Sequence, residues 1–256
     1  MPPEYMAKAK AAAQKALQLD EELGEAHTAY GSTVFWLDRN WAEAETHYHR
    51  AIELNSNTPD AHLFYAHLLS NTGRHNEALV EIGRAKQLDP LSPFIGALEG
   101  QFLLYAGRFD EALSKLKEIT TLAPNFWFPH LFASSVYIEK GMFPEAVKEA
   151  HLATELSGAQ TIALVHEGWA LAKMGKRDEA QAVLDKLLKL SEQRFVPPTH
   201  ISLMYNALGE RESALKWLER ALEVNDPKLA FLKVEPKWNN LRQDPKFQDI
   251  MKKAGF

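Results

Sequence analysis

A 34-residue periodicity constrains this chain more than any other feature. Gly73, Gly107, Gly141, Gly175 and Gly209 follow one another at intervals of 34 residues. Ala44, Ala78, Ala112, Ala146, Ala180 and Ala214 keep the same interval, the last five standing five residues beyond the glycines. A register held over six units requires one supersecondary unit stacked repeatedly, not a single irregular core.

Each period carries two amphipathic stretches. In residues 59–92, apolar side chains recur at Leu63, Tyr65, Ala66, Leu68 and Leu69, and again at Ala78, Leu79, Ile82, Ala85 and Leu88. Three- and four-residue spacing puts each set on one helix face. Pro59 suits a first helical turn, and Pro90 follows the second stretch, where no helix needs its missing N–H. Gly73 between them predicts a helix end in the left-handed region, which glycine enters without steric cost. Glu77, Glu111, Glu145 and Glu179 fall in the first turn of each second helix, where negative charge suits the helix dipole. The alanine that follows lets two helix backbones approach closely.

A helix–turn–helix unit of 34 residues is the period of the tetratricopeptide repeat, and the residues resemble that family. Gly100, Gly107, Phe109, Ala112 and Pro124 match its small, turn, aromatic, alanine and proline positions, as do Ser134, Tyr137, Gly141, Phe143, Ala146 and Ala153 one unit later. Ile119, Gly158 and Asp226 depart from the pattern. The resemblance implies an all-α, right-handed solenoid of antiparallel helix pairs. A half repeat is expected at 5–23, full repeats at about 24–58, 59–92, 93–126, 127–160, 161–194 and 195–226, and a C-terminal cap at 227–256. The first full unit is one residue longer, an excess assigned to the turn around "FWLDRNW". The unpaired first helix implies a chain cut from something longer, or one capped elsewhere. The cap carries seven Lys/Arg against three Asp/Glu and is expected to be solvated. Its string "EPKWNNLRQDPKFQDIMKKAGF" is similar to C-terminal repeat regions of bacterial multidomain regulators, which implies a regulatory, partner-binding role.

Composition excludes more than it selects. With no cysteine, thiolate metal sites, disulfides and cysteine nucleophiles are ruled out. The net charge of −5 speaks against nucleic acid, which calls for a basic footprint. No apolar run approaches membrane-spanning length, and the N-terminal stretch does not read as a secretory leader, so a cytoplasmic protein is expected. His166-Glu167 opens like a zinc-protease motif, but Ala170 stands where the second histidine is required. His27, His62 and His130 occupy equivalent places in three units and read as packing residues. Neither a phosphate-binding glycine loop nor a nucleophile elbow is present; the expectation is a protein without cofactor, metal or catalysis.

The resemblance implies that the first helix of each pair lines a concave groove. Its groove positions here are Phe35, Trp36, Leu63, His67, Asn71, Phe94, Gln101, Leu104, Tyr105, Leu131, Ile138, Trp169, Lys173, Leu203 and Asn206. This apolar, aromatic lane has few charges and predicts a protein or peptide partner with apolar anchors, not an acidic C-terminal tail. Trp169 and Tyr105 are its foremost expected anchors. The competing expectation is self-association of the array.

Overall fold

The structure, a computed structural model, describes residues 3–256, and no strand occurs among them. Helix α1 (Pro3–Leu19) precedes six antiparallel pairs. They are α2 (Gly24–Thr33) with α3 (Trp41–Leu54), α4 (Pro59–Asn71) with α5 (His75–Leu88), and α6 (Pro93–Tyr105) with α7 (Phe109–Leu122). The series continues with α8 (Phe128–Glu139) and α9 (Phe143–Leu156), α10 (Thr161–Lys173) and α11 (Arg177–Ser191), and α12 (Pro198–Ala207) and α13 (Arg211–Glu223). Each pair packs against the next, which makes the molecule a solenoid.

The turn inside each pair has one design. Gly73, Gly107, Gly141, Gly175 and Gly209 have φ of 90°, 74°, 71°, 83° and 79°. The next residue donates its N–H back over the helix end, as from Arg74 to Leu69 O and from Glu210 to Tyr205 O, both at 2.8 Å. The first unit differs. Its extra residue is taken up by a π turn at Val34–Asp38, and Arg39 takes the left-handed position with φ 54°.

Helix contacts are set by small residues. Ala44, Ala78, Ala112, Ala146, Ala180 and Ala214 are all 0% exposed. At Gly100 an added Cβ would lie 2.5 Å from Leu116 Cδ2 and 2.7 Å from its Cγ, so α6 meets α7 backbone to side chain.

The array curves until its ends meet. Arg39 Nη1 donates to Asn225 Oδ1 at 2.7 Å, across 186 residues of sequence. Trp41 Nε1 donates to Gly255 O at 2.7 Å, and its ring stacks on Phe256 at 5.0 Å between centroids. The C-terminal segment closes this ring. Helix α14 (Pro245–Lys253) packs on α13, as a cap should. Residues 227–241, however, turn inward, which corrects the expectation of a solvated cap. Leu229, Leu232, Trp238 and Leu241 are buried, and the groove is the apolar volume within reach.

Three acid-Pro-Lys steps, at 226–228, 235–237 and 244–246, shape this segment. Each acidic side chain accepts the lysine N–H two residues on, at 2.9 Å for Asp226, 3.3 Å for Glu235 and 2.8 Å for Asp244. They start the short 3-10 turns Pro227–Phe231 and Pro236–Trp238 and helix α14 in succession.

Gly107 offers a clean test of the turn, because an added Cβ meets nothing within 4 Å. Gly107→Ala is expected to cost about 1–2 kcal/mol through its left-handed backbone alone. Gly107→Asn should recover part of that loss, as read by urea unfolding.

Candidate binding site in the concave groove

Positions 94, 98 and 101 are spaced i, i+4 and i+7 and so share one face of α6. A 34-residue shift carries them to 128, 132 and 135 on α8, and to 162 and 166 on α10. These residues, Phe94, Leu98, Gln101, Phe128, Phe132, Ser135, Ile162 and His166, form one wall of a cavity of about 280 Å³. The opposite wall is the protein's own tail, through Lys228, Phe231, Glu235 and Trp238.

Of the fifteen expected groove residues, eight line this cavity: Trp36, His67, Phe94, Gln101, Leu104, Tyr105, Leu131 and Leu203. Phe35, Leu63 and Ile138 are buried in the helix stack. Asn71 is fully buried and neither side-chain atom finds a partner. Trp169 is only 3% exposed, packed between α10 and its neighbours, so it is not a surface anchor. Lys173 is exposed, with its ammonium 5.4 Å from the centre of the Trp169 ring. Asn206 is held by the tail, donating to Lys237 O at 2.7 Å and pairing with Asn240. Trp127, Phe128, His200 and the tail residues were not expected there. The 34-residue translation of Phe94 points to Phe128, but nothing in the periodicity announces a segment outside the repeats.

A continuous polar chain seats the tail. Gln101 Nε2 donates to Tyr105 OH at 3.1 Å, and Tyr105 OH donates to Glu235 Oε2 at 3.4 Å. Lys237 Nζ donates to Glu235 Oε1 and to Ser135 Oγ, both at 3.0 Å. Ser135 Oγ in turn bonds His166 Nδ1 at 3.1 Å. Three repeats thus grip two tail residues. Burial raises the Tyr105 hydroxyl well above its ordinary value, with the Glu235 carboxylate adding to the effect. Phe231 completes the seat, 5.4 Å from Trp36 and 6.0 Å from His67 between ring centroids.

The mouth of the cavity is aromatic. Phe94 is 37% exposed and meets Phe128 edge-on at 5.4 Å; Trp127 stacks on Phe128 at 4.0 Å, and Phe126 lies 5.3 Å from the same ring. The repeated histidines lie elsewhere and bridge helices. His62 bonds Glu81 at 2.7 Å, His130 bonds Glu149 at 2.6 Å, and His27 meets His47 at 2.8 Å. Their partners sit at equivalent places on the second helix of each pair, which is the packing role their register implies.

The chain matches models of one repeat family in three stretches, residues 32–93, 163–191 and 199–225, each described as a tetratricopeptide repeat. These units are tetratricopeptide repeats. A stretch of 64 residues is 41% identical to protein O-mannosyl-transferase Tmtc1 of Drosophila melanogaster, covering 25% of this chain and 8% of that protein. The matched part is therefore a small fraction of that relative. Among solved structures, a tetratricopeptide repeat protein from Parabacteroides merdae superposes with a TM-score of 0.65 at 12% identity, over 97% of this chain and 92% of that one. The human IFIT1 dimer with PPP-AAAA gives 0.68 at 18% identity, over 98% and 66%. At such identities the likeness is one of fold.

Three buried histidines give the tetratricopeptide array a pH signature. Burial lowers His67 and His200 to about 3, with the positive charge of Lys228 adding to it, and lowers His166 well below its usual range. The unfolded chain titrates them near 6.5. Stability is therefore full above that pH and lost as pH falls toward 3, because only the unfolded chain takes up those protons. The slope should reach about 1.4 kcal/mol per pH unit for each histidine. Urea midpoints between pH 7 and 4.5 measure it, and His200→Gln should flatten the curve. Independently, Trp238→Ala should destabilise the fold by about 3–5 kcal/mol, since the ring is 2% exposed inside the groove.

Proposed function

We propose that this tetratricopeptide array is a non-catalytic scaffold that holds a protein segment by apolar anchors at the aromatic mouth of its groove. The observation that carries this reading is the half-exposed set Phe94, Phe126, Trp127 and Phe128, left open where the tail covers the rest of the lane. Aromatic side chains bury large areas with few rotors to immobilise, so such a cluster is favourable for an incoming anchor. Tyr105 supports the tail in this reading, and Trp169 supports the stack.

Neither a glycosyl-transfer role nor RNA binding follows from the relatives. The stretch resembling the Drosophila transferase covers 8% of it. A net charge of −5 gives no general basic footprint for a phosphate backbone. No described helix is long and apolar enough to cross a membrane. A regulatory or assembly role agrees with a scaffold that reads one partner segment.

A second reading, end-to-end self-association, draws on α1 and the turn after it, where Tyr5, Leu19 and Leu23 are 53%, 76% and 39% exposed. Sedimentation across a hundredfold range of concentration decides it; a constant monomer mass removes this reading.

For the leading reading, phage-displayed peptides are selected on the purified protein. Enriched sequences should carry aromatic or aliphatic anchors and bind the Phe94→Ser/Trp127→Ser double variant at least tenfold more weakly. Failure of enrichment, or equal binding by a folded double variant, would sink the mouth as the docking site.

A further inference from the structure

The polar chain leaves one cationic corner of the cavity unsatisfied. Lys228, from the tail, lines the cavity, yet its Nζ has no hydrogen-bond acceptor and no carboxylate partner among the described residues. Its ammonium lies beside two aromatic rings, 5.5 Å from the centre of Trp36 and 5.4 Å from that of Phe231. His67 lines the same corner, 5.3 Å from Trp36, and makes no hydrogen bond through either ring nitrogen among those residues. His200, also on the cavity wall, leaves Nε2 without a partner.

No neighbouring carboxylate touches this ammonium, although the Asp226 charge attracts it through space. Asp226 already accepts three hydrogen bonds, from Thr199 N at 3.0 Å, Thr199 Oγ1 at 2.8 Å and Lys228 N at 2.9 Å. Glu235 is engaged by Lys237 and Tyr105. Burial accordingly pushes the Lys228 ammonium below its ordinary value. An ammonium that lines a cavity and touches no carboxylate is free to take an anionic ligand there. The rest of the lining is mostly apolar, apart from polar groups such as Gln101, Ser135, Thr199 and Glu235, and its 280 Å³ is about twice the roughly 150 Å³ that admits a benzene molecule.

We propose that the cavity binds a small organic acid with an apolar body of roughly ten carbon atoms, its carboxylate held by Lys228 and the His67 imidazole. The apolar body lies along Leu131, Leu203 and Phe132, toward the aromatic mouth. Both wall and tail contribute, so the site exists only when the tail is seated. The proposal goes beyond the docking of a protein segment and does not depend on it.

The test is calorimetric titration of the purified 256-residue chain with decanoate and with decan-1-ol, with tryptophan emission followed in parallel because Trp36, Trp127 and Trp238 line the cavity. Decanoate should bind saturably at one site per chain. Lys228→Met should weaken the acid at least tenfold and leave the alcohol unchanged, while Lys228→Arg should retain most of the affinity for the acid. Lys228→Met should stay folded, read by an unchanged melting temperature. Leu131→Phe, which fills part of the cavity, should weaken acid and alcohol alike and tests the location without touching the charge. Absence of saturable decanoate binding, unchanged acid affinity in folded Lys228→Met, or indifference to Leu131→Phe would each overturn the proposal. Peptide selection at the mouth is read separately, so either reading can fail while the other stands.

Discussion

The close approach of paired helices at the repeated alanines is the contact on which everything else depends. A methyl group at Ala78, Ala112, Ala146 and their equivalents keeps the two helix axes of each unit near one another, and all six are wholly shielded from solvent. Repetition at 34 residues gives each unit the same geometry, so small rotations between neighbours add up instead of averaging out. A larger side chain at one of these positions would wedge its pair apart and alter the curvature there. The curvature brings Arg39 to Asn225 and Trp41 to Gly255.

Curvature creates a concave surface, and here the chain supplies much of what lies on it. The tail resembles a bound peptide in its manner of contact: short 3-10 turns, apolar side chains set into the wall, and a few directed hydrogen bonds. Buried ion pairs such as Glu235 with Lys237 contribute little net stability, since desolvation offsets most of the attraction. Their value lies in register. Shifting the tail by one residue would remove Glu235 from Tyr105 and Lys237 from Ser135 at once, leaving several buried polar groups without partners.

The cavity is what remains between a regular wall and an irregular insert. On the wall, three copies of one helix face supply Phe94, Phe128 and Ile162 in a row. On the insert, Phe231 and Trp238 fill the centre, and Lys228 faces a region where the wall offers rings instead of carboxylates. Mouth and corner therefore differ in chemistry: aromatic at Phe94, cationic at Lys228.

Periodicity alone determined the helix pairs, the glycine turns at 73, 107, 141, 175 and 209, the shielded alanines and the all-helical solenoid, because these depend on contacts within one unit and its nearest neighbour. The resemblance to tetratricopeptide repeats, not spacing alone, placed Trp36, His67, Phe94 and Tyr105 on the groove side. It treated Trp169 as an open anchor, although solvent access at that position depends on what the neighbouring helices cover. It also left the tail outside. Residues 227–241 obey no repeat, and their destination is set by contacts with residues about 100 to 200 positions earlier, such as Ser135, Tyr105 and Trp36. Only the closed curve of the array brings those partners within reach, and so only tertiary structure decided which groove residues meet the tail and which surround a cavity.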